Sequence, residues 1–173
     1  MFRNYCSRPQ TVYVPAVYKD TLEYMYAHIE DERTLSISVK KPEKGLSTEV
    51  GKQVFDSAKV ARLTVNEAGD DFPSVLDRYG KEMLDQGIVV IQAWLKLSRP
   101  WVGNTVEHLR ERGYFLGGLL PGWFGTDGLL MQKIIGKPNW EGIQLYSVHA
   151  KEILKIVKDD WSSQIITSTG CNH

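Results

Sequence analysis

The stretch Asn66-Glu67-Ala68-Gly69-Asp70-Asp71 ends a segment of alternating apolar residues and precedes a helical pattern. A strand that turns into a helix over a glycine offers free backbone N–H groups at the helix N-terminus, which suits a phosphate or carboxylate. Glu67, Asp70 and Asp71 oppose such an anion, because like charges ~5 Å apart at an effective dielectric near ~20 repel by about 3 kcal/mol per pair. Asp70 and Asp71 also suit a structural task, capping the first turn of the following helix and complementing its dipole. Ser98 and Asn104 flank the start of another helix, just after a nearly continuous apolar run, where open α/β sheets take ligands. Either also suits a helix cap. Trp123 and Phe124 lie between glycines in the turn-rich segment from Pro121 to Gly128, as a stacking surface or lid, or as packing against a sheet edge.

Other chemistry is poorly supported. His28, His108 and His149 fall on separate helical patterns with no carboxylate or cysteine at ligand spacing, so no metal is expected. Glu107 and Glu111 share a helix face but neighbour Arg110 and Arg112, which reads as a solvated charged surface. No Gly-x-Ser-x-Gly, Walker loop or Cys/His nucleophile pattern occurs.

The length of 173 residues favours one compact domain, expected over 1–161 with a flexible tail at 162–173. Hydrophobic residues at 42% and charged residues at 24% are ordinary for a folded core. Basic and acidic residues both total 21, so there is no global basic field, and neither nucleic acid nor a membrane is expected as a partner. Cys6 and Cys171 suit two free thiols or a bridge closing the whole chain. No apolar stretch reaches the length of a signal peptide or the ~18 residues of a membrane span, so a cytoplasmic location is expected.

The elements that must position these residues follow from periodicity. Leu22, Met25, Tyr26 and Ile29 mark a helix face. Thr34 to Lys40 and Ala58 to Asn66 alternate with a period of two, and Val50 to Phe55 suits a short edge strand, which predicts an antiparallel meander through the first third. Phe72, Val75, Leu76, Tyr79 and Met83 form a helix with Pro73 near its start and Gly87 at its stop. The apolar run Ile88 to Leu95 reads as a central strand covered on both faces. A helix with Val102, Val106 and Leu109 inward ends at Gly113, and two strands follow, Tyr114 to Leu120 and Gly128 to Ile135. Ala150, Ile153, Leu154, Val157 and Trp161 define a closing helix that frays after Trp161. The crossover makes the strands at 58–66 and 88–97 parallel neighbours, and the turn at 121–127 makes the last two antiparallel.

This succession from Ala58 to Ile135 resembles the core of the GNAT N-acetyltransferase superfamily, in which two parallel central strands splay and acyl-CoA lies between them. Leu109-Arg-Glu-Arg-Gly113-Tyr114-Phe115 looks like that family's helix-to-strand passage. The run from Gly113 to Gly122, followed by Gly128-Leu-Leu-Met-Gln132, is similar to GNAT-like modules at the end of some bacterial proteins with a histidine-kinase-type ATPase domain. The resemblance implies an α/β (α+β) fold, a GNAT-like mixed sheet of six to seven strands with helices on both faces. It also implies that acetyl-CoA or another acyl-CoA would meet Val65, Asn66, Gly69, Asp71, Phe72, Ser98 and Asn104. Three departures stand against the usual chemistry. The family's Q/R-x-x-G-x-G/A loop is replaced by Asn66 to Asp71, Leu109 occupies the place of the general-acid Tyr, and Asn104 is displaced from the family's Asn by two residues. Two readings follow: an acyl-CoA N-acyltransferase with an atypical site, or a module without catalysis that senses a small molecule or binds a protein partner. A homodimer is compatible with either.

Overall fold

The computed structural model describes residues 9–169; Cys6, Cys171 and His173 lie outside the described residues, and with them the choice between thiols and a bridge. The chain runs β1 (Gln10–Val14), a 3-10 turn (Ala16–Tyr18), α1 (Lys19–Tyr26), β2 (Arg33–Ile37), β3 (Glu49–Phe55), β4 (Val60–Glu67) and α2 (Phe72–Asp85). It continues through β5 (Val90–Lys96), α3 (Val102–Glu111), β6 (Phe115–Leu120), β7 (Gly128–Ile134) and α4 (Val148–Thr169). Among the described residues, no helix is long and apolar enough to cross a membrane.

Alternation in β4 puts Ala61, Leu63 and Val65 inside, and the same period in β5 puts Ile91, Ala93 and Leu95 beside them. β4 and β5 are parallel from Val60↔Val90 to Val65↔Leu95, as predicted. β7 pairs antiparallel with both β5 and β6, so the sheet order is β3-β4-β5-β7-β6. The fold is mixed α/β.

Three expectations require correction. The seven strands do not form one sheet of six to seven: five make the main sheet, and β1 and β2 make a separate pair. Of the meander, β3 and β4 do pair antiparallel, with β3 at the sheet edge, but β2 pairs instead with β1, in parallel through the α1 crossover, with Gln10↔Arg33 to Val14↔Ile37 in register. The alternation of buried Val12 and Val14 was the signal for β1.

Leu22 of α1, Phe72 and Leu76 of α2 and Val106 and Leu109 of α3 join a single buried cluster with Leu63, Ala93 and Met131, while α4 packs on β6 and brings Ala150, Ile153 and Val157 together with Gln132. Two right-handed crossovers that advance across the sheet in the same direction place their helices on the same face. The opposite face is covered only in part. Arg62, Thr64, Gln92 and Gln132 are half-buried there, and Trp94 is buried beneath the Arg62 guanidinium, 3.9 Å from its ring centre. Trp123 and Phe124 fold back edge-on to Trp94, with ring centres at 5.0 and 6.3 Å, so the 121–127 turn packs on the sheet.

The third difference is at the C-terminal end, where α4 runs to Thr169 rather than fraying after Trp161. Trp161 packs edge-on to Trp140 at 5.6 Å and Gln164 is buried, so this stretch has tertiary contacts to hold it.

Two carboxylates fasten the N-terminal third to the sheet. Asp127, 1% exposed, accepts hydrogen bonds from Arg33 Nε (2.7 Å), the Tyr26 hydroxyl (2.8 Å) and the Gly122 N–H (2.8 Å). Asp160 accepts from the Tyr18 hydroxyl (2.8 Å), Arg110 Nη1 (2.6 Å) and the Leu116 N–H (2.7 Å). Burial, and then the Asp160 charge, push the Tyr18 phenol up, so it stays a neutral donor across the physiological range.

Candidate functional site

Beyond the pair Val65↔Leu95, β4 continues through Asn66 and Glu67 with no ladder partner on β5. The two strand ends are instead joined by side chains. Lys96 Nζ donates to Asn66 Oδ1 at 3.3 Å. Glu67 accepts from the Trp101 indole N–H at 2.8 Å and pairs with Arg99 at 3.4 Å. Past β5, the Leu97 carbonyl accepts the Tyr13 N–H at 2.7 Å, which seats β1 at the carboxyl end of the central strand.

The N-termini of α2 and α3 open toward this end of the sheet, and the connection 38–48 lies over both. At α3, Ser38 Oγ accepts the Gly103 N–H (2.8 Å) and donates to the Pro100 carbonyl (2.6 Å). The helix has no side-chain cap of its own, so Ser38 supplies one from a distant part of the chain. At α2, Thr48 Oγ1 accepts the Gly69 N–H at 2.9 Å. The Asp71 carboxylate accepts the Thr48 N–H (2.9 Å), and Asp70 accepts the Gly45 N–H (3.3 Å). A Cβ on Gly69 would overlap the Leu46 carbonyl, and one on Gly103 would lie 2.9 Å from the Ser38 carbonyl oxygen. Both positions are glycine because another stretch of backbone passes too close for a side chain.

The predicted site residues gather at one end of the sheet, but in different roles. Val65 and Phe72 are core side chains, 1% and 0% exposed. Asn66 holds Lys96, and the Gly69 donor is spent on Thr48. Asp70 and Asp71 were expected to cap α2, yet Asp71 makes no side-chain cap and both carboxylates grip the strap. The bond from Thr48 holds the Asp71 carboxyl below its ordinary pKa. Ser98 faces the 121–127 turn, 3.4 Å from Thr126 Oγ1, and Asn104 is half-buried in the first turn of α3. Sequence reasoning missed Ser38, Thr48 and the Glu67–Trp101 latch. The available signal was a glycine at the start of each of two helices, with no turn to require it.

Two histidines placed on separate helices meet in space. The His28 and His149 rings stack at 3.8 Å between α1 and α4, and the Tyr24 hydroxyl is 3.3 Å from His149 Nδ1 while donating to Glu152. Among the described residues, no group of three or more His, Cys, Asp or Glu side chains is arranged to hold a metal. Glu111 pairs with His108 and Arg112 on the exposed side of α3.

The Ser38 cap offers a simple check. Ser38→Ala is expected to cost about 1 kcal/mol of unfolding free energy in urea titration, the ordinary loss for a removed helix cap. A neutral effect would mean that the Gly103 N–H is satisfied some other way.

No protein-family model, curated protein or solved structure matches this chain.

Proposed function

We propose that this chain is a GNAT-like module that works by binding a small molecule or a protein partner rather than by transferring an acyl group. The observation that carries this reading is the strap: the Gly69 and Gly103 donors, which an acyl-CoA phosphate or thioester would need, are both spent on Ser38 and Thr48. The missing general acid at Leu109 and the absent glycine-rich loop point the same way. The strand order and the parallel central pair support the GNAT-like layout.

A second reading has one observation in its favour. β4 and β5 leave their ladder after Val65 and Leu95, at the place where the resemblance puts acyl-CoA. In that reading the strap swings away, and catalysis rests on proximity and on backbone hydrogen bonds to the thioester carbonyl.

Calorimetric titration with acetyl-CoA separates the two. The proposal expects no saturable heat up to about 1 mM ligand, a range that detects binding as weak as about −4 kcal/mol. Saturable binding, with acetyl transfer to any amine, would establish the second reading instead.

A further inference from the structure

The segment 140–146 and α4 bound a groove whose lining shares no residue with the 38–48 strap. A cavity of about 630 Å³ is lined by Ile143, Leu145 and Leu154 and by the ammonium-bearing Lys151, Lys155 and Lys158. A second cavity of about 330 Å³ starts from the same three apolar residues and continues to Trp140, Ile153 and Val157. The two share a wall of aliphatic side chains, and the larger falls within the range of small-molecule sites.

Charge at this groove is one-sided. The three lysines recur on one side of α4 at spacings of four and three residues, and among the described residues the only carboxylate lining the cavity is Asp159. Among the described residues, none of these three lysines forms an ion pair; Lys158 Nζ rests 5.7 Å from the ring centre of Trp140.

We propose that this groove binds a single-chain amphiphilic anion, namely a medium-length fatty carboxylate. The hydrocarbon chain lies along Ile143, Leu145 and Leu154, and the carboxylate meets the ammonium groups of Lys155 and Lys158, the latter beside the Trp140 ring. An uncharged apolar ligand would leave the lysine rim unused, and a small anion would leave the aliphatic wall wet. The groove is separate from the mouth between β4 and β5, so the proposal stands whether or not that mouth admits acyl-CoA.

The test is a titration of the full chain with dodecanoate below its micelle-forming concentration, followed by calorimetry and by the indole N–H resonance of Trp140. The expected result is one-site saturation that moves this resonance, with butyrate and dodecanol each at least about tenfold weaker. The double variant Lys155→Gln/Lys158→Gln should bind dodecanoate about tenfold less tightly while the chain stays folded, since Lys155 is exposed and a Gln at the half-buried Lys158 gives up only its contact with Trp140. Ile143→Asp, at an exposed position, should abolish binding without unfolding the chain. The proposal is overturned by an absence of saturation, by equal affinity in the double variant, or by butyrate binding as well as dodecanoate. Retention on phosphatidylglycerol vesicles without one-site dodecanoate binding would also overturn it, and would identify a membrane-surface patch.

Discussion

Asp127→Ala is expected to lower the unfolding free energy by roughly 3–5 kcal/mol, the usual cost of breaking a buried ion pair from one side. The substitution leaves the Arg33 guanidinium, whose side chain is only 9% exposed, with the longer pair to the exposed Asp31 at 3.7 Å, and takes the acceptor from the Tyr26 hydroxyl and the Gly122 N–H together. It therefore unfastens α1, β2 and the 121–127 turn at once. A shift in the urea midpoint with unchanged slope at neutral pH is the expected signature. A loss below about 1 kcal/mol would place this carboxylate among the weak surface pairs.

The same group has a pH signature. Burial alone would raise the Asp127 carboxyl pKa, but the bonds from Arg33, Gly122 and Tyr26 outweigh it and hold the group below the ordinary carboxylate value. Its contribution is therefore complete above the unfolded pKa of about 4, and is lost as pH falls through the lower folded value. Asp71, Asp77 and Glu82 are also depressed, so wild-type stability alone does not isolate it. The stability gap between wild type and Asp127→Asn does isolate it. That gap should stay constant from neutrality down to pH ~5 and close below ~4. A gap that widens in acid would contradict the sign of the shift.

Gly69→Ala should have the second largest effect, a loss of about 1–3 kcal/mol, because the new methyl meets the Leu46 backbone and has no flexible side chain to displace. The strap must lift, which releases the Gly69–Thr48 and Thr48–Asp71 bonds together. Gly80 in α2 is the control, since nothing lies within 4 Å of a Cβ there. Gly80→Ala is expected to stabilise by roughly 0.5–1 kcal/mol through helix propensity alone. Matching effects at the two glycines, read from urea midpoints, would show that the strap does not bear on Gly69.

Much of the main sheet was legible because β4 carries strict periodicity, with Ala61, Leu63 and Val65 alternating with polar residues, and β5 is a nearly continuous apolar run. The crossover then fixed their parallel pairing with no further information. The partly open second face was harder to foresee. Trp94 makes β5 look covered on both faces, yet its cover is a guanidinium and two ring edges rather than a helix. The β1–β2 pair was hidden because β2 alternates like any meander strand, and nothing local in Leu35, Ile37 and Val39 names its partner.

The candidate site was legible as a location and not as a state. Residues 65–72 and 98–104 do converge at one end of the sheet. What lies over them is a polar stretch from Ser38 to Thr48 whose Lys, Glu and Gly content reads as an ordinary surface loop. Its hold on Gly69 and Gly103 depends on pairs separated by 21 and 65 residues, which no local pattern encodes. The Asp127 and Asp160 hubs escaped for the same reason, as each carboxylate draws its partners from distant elements.

Amide hydrogen exchange at Gly69 and Gly103, resolved by NMR on the native chain, tests the strap most directly. Both N–H groups should exchange far more slowly than unstructured glycine. Thr48→Val should deprotect Gly69 while leaving Gly103 protected, and Ser38→Ala should do the reverse. Exchange of both amides at the unprotected rate in the native chain would mean that the two helix N-termini stand open to ligand.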